Sequence, residues 1–178
     1  MHNLKPSHRF LHSFCVKPAY RFETQHTKEQ VILVLRAHPI TQLPWFINSL
    51  VLLIVLVFIN FLFFEFLTPT QTIFANFFGL AVIFAYIWFN FLSWFFNVGI
   101  ITNERIIDID FHAVIYKEVT ETQLTKVEDV TAKSGGFFAS LFNYGNIFVQ
   151  TAGTEVNIEF HNVPQPSEVT KIINSLVS

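Results

Sequence analysis

The chain has 178 residues, 23 of them Phe, with 13% charged side chains and a formal net charge of −2. That length leaves room for one modest soluble domain, and half the usual charge density excludes an ordinary globular surface over the whole chain. The one cysteine, Cys15, excludes an internal disulfide.

Residues 1–28 read as a flexible basic tail. Residues 1–43 carry Lys5, Arg9, Lys17, Arg21, Lys28 and Arg36 against Glu23 and Glu29, a local +4. The stretch before Glu23 also has the composition of a mitochondrial transit peptide, but Pro6 and Pro18 interrupt any amphipathic helix. No cleavable signal peptide is expected, because the first apolar run starts late and is too long. His8 and His12 have the spacing of a helical metal grip, yet lack an acidic or Cys partner nearby; solvated histidines are the simpler reading. Residues 29–43 form a juxtamembrane segment. Its EQVILVLRAHPI fits a strand or a helix equally by period. Arg36, His38 and Trp45, with Trp94 further on, are candidate interfacial anchors.

Two apolar runs follow, residues 44–67 and 73–96, around a polar gap at 68–72. Each is about 24 residues, roughly 36 Å as a helix, enough to cross a hydrocarbon core with some tilt. The expectation is a two-helix transmembrane hairpin. The gap has no Lys or Arg while the flanks do, so both termini are expected in the cytoplasm of a cell-membrane protein. Glu65 lies near the outer end, where a carboxylate reaches interfacial water. Asn60 and Asn90 are candidates for interhelical hydrogen bonds, and Gly79, Ala81 and Ala85 for close helix packing. The lipid bilayer is then one partner; a second copy or another protein is the other expectation.

From Asn97 the sequence alternates. Val98–Ile101 and Arg105–Phe111 flank Thr102-Asn103-Glu104, a hairpin turn. Ile107, Ile109 and Phe111 share a face expected to be buried, leaving Asp108, Asp110 and His112 wet. Ile115–Val119, Thr122–Val127, Asn146–Thr151 and Glu155–Phe160 read as further strands. Residues 166–177 show i, i+3, i+4, i+7, i+8 spacing of Val169, Ile172, Ile173, Leu176 and Val177: an amphipathic helix, expected to be capped by Ser167. Six or seven antiparallel strands plugged by that helix make a small barrel or sandwich over 97–178. Between them Phe137, Phe138, Leu141, Phe142 and Tyr144 either fill the core beneath a short helix or form an exposed patch contacting a membrane or a partner.

Ile101-Thr102-Asn103-Glu104-Arg105-Ile106-Ile107, Leu124 to Val130, and Phe142-Asn143-Tyr144-Gly145 running on to Thr151-Ala152-Gly153 resemble the bacterial pleckstrin-homology-like (PH) domain of membrane-flanked proteins. The closing Val163-Pro164-Gln165-Pro166 and Val169 fit the same pattern. The resemblance implies a PH-like β-barrel with one C-terminal helix, following an apolar hairpin. It also invites phosphoinositide binding, but residues 97–178 carry five Lys/Arg against ten Asp/Glu, which disfavours anionic head groups and nucleic acid alike.

No phosphate loop, nucleophile elbow or H-E-x-x-H occurs. Glu128-Asp129 on a strand would point to opposite faces, and His112 with His161 makes at most a chance surface pair. No catalytic, cofactor or metal residue is assigned. The expected function is a non-catalytic membrane protein presenting a PH-like module for protein assembly, scaffolding or regulation; the alternatives are a subunit of a membrane enzyme or transport complex, or a lipid-binding module.

Overall fold

The computed structural model describes residues 12–18, 22, 24–63, 65–112, 116–152 and 157–177. The pair His8 and His12, most of the 1–22 stretch, Gly153, and the first residues of the strands expected at 115 and 155 therefore lie wholly or partly outside the described residues.

Two antiparallel sheets form the domain. The first has five strands in chain order: β1 (Phe14–Val16), β2 (Val31–Leu35), β3 (Val98–Thr102), β4 (Arg105–His112) and β5 (Tyr116–Gln123). The second has three: β6 (Val127–Lys133), β7 (Tyr144–Thr151) and β8 (Ile158–Pro164). A 3₁₀ turn at Leu124–Lys126 turns the corner between the sheets. The helix expected at the C-terminus is α4 (Pro166–Val177), with Val169 and Ile173 fully buried against the core. Burying each is worth roughly 2 kcal/mol. Its cap differs from expectation. Ser167 is already inside the first turn; Pro166 opens the helix after Gln165, whose φ is 51° and whose carbonyl accepts from the Glu168 and Val169 N–H groups.

The N-terminal boundary also differs. The flexible tail of 1–28 and a domain beginning at 97 are corrected by β1 and β2, which complete the first sheet. Phe14 lies opposite Leu35, and Leu35 and Leu33 lie opposite Gly99 and Ile101. Val16, Leu33 and Leu35 are core residues. A three-residue apolar strip among polar neighbours carries too little period to announce a strand; its partner strand supplies the reason for it.

Between β2 and β3 stand two long helices, α1 (Leu43–Phe63) and α2 (Pro69–Phe96), of 21 and 28 residues. Both are long and apolar enough to cross a membrane, by length and composition, and few of their residues are buried within the molecule. Pro44 sits in the first turn of α1, where a missing N–H costs nothing. The second helix starts four residues earlier than expected, because Thr68-Pro69-Thr70-Gln71 is a capping box rather than a loop: Thr68 Oγ1 accepts from Gln71 N–H and Gln71 Oε1 accepts from Thr68 N–H. Conversely α1 ends at Phe63, leaving Glu65 exposed in the turn.

The two helices meet along a narrow seam. Asn60 and Asn76 exchange two hydrogen bonds of 2.7 Å. Gly79 lies where a Cβ would overlap the Leu56 side chain, so glycine sets the closeness of the helices there. Asn90 instead bonds its own helix, at the Tyr86 carbonyl, and Ala81 faces outward.

Strand β4 is covered on both faces, not only on the Ile107 face expected. Ile101 pairs with Ile106 and Gly99 with Asp108, and Gly99 abuts the core ring of Phe160. Ile106, Asp108 and Asp110 therefore look inward, while Ile107 is buried on the other side. Adjacent isoleucines leave the parity open to either choice; the two-residue turn decides it.

Candidate functional site

Three groups of side chains stand out. The first is the junction between hairpin and domain. Trp94 Nε1 donates to the Ala37 carbonyl at 2.9 Å, and Arg36 Nε donates to the Phe95 carbonyl at 3.1 Å with its guanidinium 4.9 Å from the Phe95 ring centre. The start of α1 and the end of α2 are thus tied to one connector. His38 caps the 3₁₀ turn Pro39–Gln42 that leads into α1: its Nδ1 accepts from Ile40 N–H. That role needs a lone pair, and burial holds the imidazole below its ordinary pKa, hence neutral. The ring stacks on Tyr144 at 5.7 Å and lies 6.5 Å from Phe142. Trp45 Nε1 donates to Gln42 Oε1 in the same turn. The junction therefore gathers Arg36, His38, Trp94, Phe142 and Tyr144, residues far apart in sequence.

The second group continues from the first. Helix α3 (Phe137–Phe142) follows Gly135-Gly136 and packs on β7. The core-filling reading of its aromatics is overturned. Ala139 is the side chain that goes inward, whereas Phe137, Phe138 and Leu141 are 76%, 63% and 62% exposed.

The third group is a charged clasp at the opposite end of β3. Glu29 has no exposed side-chain surface, and Arg105 is 12% exposed. Arg105 Nε donates to Glu29 Oε1 at 3.0 Å and Nη2 to Oε2 at 3.1 Å, while Nη1 reaches Glu121 at 2.9 Å. Burial raises the Glu29 pKa, but the Arg105 hydrogen bonds and the His26 N–H outweigh it and hold the carboxyl below its ordinary value. The same contact with Glu29 pushes the Arg105 pKa up. Thr102 and Asn103 complete the clasp. Thr102 Oγ1 accepts from the Glu104 and Arg105 N–H groups, and Asn103 Oδ1 accepts from Gln30 N–H. The turn motif thus holds the strand that precedes the hairpin. Sequence reasoning missed Glu29 as the partner; the available signal was a lone carboxylate opening an apolar strand.

His26, Glu29 and Glu104 bring one donor atom each within 4.8 Å. Both Glu29 oxygens are already bonded, one guanidinium sits against them, and His26 Nδ1 is 2.8 Å from Glu104 Oε2. This is a structural pin more than a cation site. The adjoining open cleft, about 720 Å³, is lined by His26, Glu104, Arg105, Glu121, Lys126 and Val177.

Two further expectations resolve differently. Glu128 and Asp129 straddle a bulge in β6 and are both exposed, so the strict alternation does not apply. His112 and His161 stand on strands of different sheets. Cys15 is buried in β1, and burial raises its thiol pKa, which keeps it protonated and unreactive. Outside these groups, burial, the Asp110 charge and the Glu118 charge push the Asp108 carboxyl up to about 7.

Two antiparallel sheets closed at one end by a C-terminal helix define a PH-like fold. The profile of the bacterial PH domain family matches residues 38–177, most of the chain, and the chain belongs to that family. The match spans α1 and α2 and begins after β1 and β2. Among solved structures, a DUF1696-family protein with a pleckstrin-homology domain from Shewanella loihica PV-4 is similar: 14% identical, TM-score 0.38, covering 46% of this chain and 71% of that one. No curated protein matches the chain.

Proposed function

We propose that the protein is a non-catalytic integral membrane protein whose helical hairpin holds a PH-like module at the cytoplasmic face of the cell membrane, for protein assembly or regulation. The observation that carries this reading is the hairpin itself. Phe61, Phe74, Phe77 and Phe78 are exposed over most of their surface, and so are large apolar side chains all round both helices. Water would penalise that surface heavily, whereas lipid accepts it. The polar side chains within the helices support the same reading: Asn60 and Asn76 satisfy each other, and Ser49 bonds a backbone carbonyl. Basic residues before α1 and none in the 65–72 turn favour cytoplasmic termini. The acidic domain favours a protein partner over anionic lipid recognition.

Carbonate washing of membranes, followed by labelling of Thr70→Cys and Ser175→Cys with an impermeant maleimide on intact cells, tests this. The protein should stay in the membrane pellet, with position 70 labelled from outside and position 175 labelled after permeabilisation. Release by carbonate refutes the anchor; labelling of 175 on intact cells refutes the orientation. Native mass spectrometry in mild detergent then distinguishes a homo-oligomer or scaffolded partner from a subunit of an enzyme or transporter.

A further inference from the structure

We propose that α3 is a third membrane contact: a short aromatic foot whose Phe137, Phe138 and Leu141 enter the head-group and upper acyl layer of the leaflet that the hairpin enters. The inference rests on the reading of the hairpin as membrane-spanning.

Position is the first argument. The C-terminal end of α3 reaches the His38 ring, and His38 is the cap of the turn that runs directly into α1. Helix α3 therefore belongs to the end of the domain from which both long helices depart. Orientation is the second. Ala139 is 4% exposed and anchors the inner side; Asn143, at φ 52°, ends the helix and returns the chain to β7. Phe137, Phe138 and Leu141 are left on the outer side, and among the described residues nothing covers them. With roughly 200 Å² of side chain per Phe, the exposed apolar patch with Phe142 is on the order of 400 Å², the size at which a soluble monomer needs a reason for it.

Charge narrows the occupant. The domain from 97 on is acidic, with ten Asp/Glu, yet the sequence from Val130 to Thr154 contains none and includes Lys133. The acid-free stretch is the one that carries α3. An acidic partner surface or a head-group layer fits it equally by sign. The link through His38 to the turn that enters α1, with Trp45 and Trp94 at the same junction, favours the bilayer, since interfacial aromatics gather at that depth.

The test places an environment-sensitive fluorophore on the full-length chain in vesicles of phosphatidylethanolamine and phosphatidylglycerol, through Phe138→Cys, Ser175→Cys or Val57→Cys in separate proteins. Cys15 is buried and is left in place. Ser175 is an exposed residue of α4, whose end lines the cleft at the far end of β3. The expected result is several-fold stronger quenching of the 138 probe than of the 175 probe by nitroxides near the top of the acyl chain, with the 138 probe shielded from aqueous iodide. A 138 probe quenched by iodide as readily as the 175 probe overturns the proposal. So does a 138 probe shielded from both quenchers, which marks a protein occupant, a second copy included. The Val57 probe separates the two levels. If nitroxides deep in the acyl chain quench it while 138 stays in water, only the foot fails; if they do not, the hairpin reading fails with it.

Discussion

Replacing Arg105 by Met should unlatch the N-terminal strands. Arg105→Met keeps the aliphatic stem and leaves Glu29, whose side chain has no exposed surface, without the guanidinium that holds its two oxygens. Breaking a buried pair by removing one partner costs about 3–5 kcal/mol, and the lower end applies because Arg105 keeps some exposure. A loss of about 3 kcal/mol raises the open fraction of β1 and β2 about a hundredfold. Cys15 supplies the assay. It is buried on β1, so its labelling by a thiol reagent, when closing is fast relative to reaction, reports the opening equilibrium. The variant should label about a hundredfold faster than the parent at the same pH. The double variant Glu29→Gln/Arg105→Met should recover most of a decade, since it removes the stranded charge as well. Equal labelling rates for parent and Arg105→Met would refute the argument, and so would a double variant that labels faster than the single one. Acid gives an independent check with a definite sign. The folded-state pKa of Glu29 is depressed, so its stabilisation is present above the ordinary carboxylate value of 4.5 and is lost as pH falls through the folded value. Amides of β2 should lose exchange protection there, and less so in Glu29→Gln.

Asp108 titrates the other way. Its folded pKa is raised to about 7, so its protonated form adds stability below the ordinary value of 3.8, and that contribution fades as pH rises through the folded value. Asp108→Asn should therefore raise the melting temperature most at about pH 8, less at about pH 5, and least as the pH approaches the ordinary value of 3.8; thermal unfolding in detergent at the three pH values measures this. Asn60→Leu removes both bonds between the helices and leaves the Asn76 amide with its bond to the Thr72 carbonyl; it should loosen the hairpin by about 1 kcal/mol, read as faster amide exchange in both long helices, and unchanged exchange would mean the Asn pair is incidental. Trp94→Phe removes the bond to the Ala37 carbonyl. Spin labels on α2 and β7 should then show a broadened distance distribution while the domain's own melting point stays put.

Sequence made some of this fold legible and hid the rest for definite reasons. The Asn103-Glu104 turn, the α4 stripe and the two apolar runs were readable because each is a local pattern: a turn dipeptide, a helical period, a run length. The clasp was not, because Glu29 and Arg105 are separated by the whole hairpin and neither residue's neighbours announce the other. The inward parity of β4 was hidden by the adjacent Ile106 and Ile107, which satisfy both choices. The exposed α3 was misleading in another way. A cluster such as Phe137-Phe138 is core material by every compositional rule, and only the register of β7 beneath it, with Ala139 inward, puts the rings outside. The junction residues Arg36, His38 and Trp94 were visible singly, but what joins them is a set of backbone carbonyls, at Ala37 and Phe95, that no side-chain pattern encodes.

Strands β2 and β3 are hydrogen-bonded neighbours, yet the entire helical hairpin is the connection between them. The order of events during synthesis follows from this. Leu33 and Leu35 emerge from the ribosome long before Gly99 and Ile101, their partners across the ladder. The first sheet can close only after both long helices have been made. A copy in which β3 failed to reach β2 would leave β1 and β2 detached from the rest of the sheet and the domain without Leu33 and Leu35 in its core.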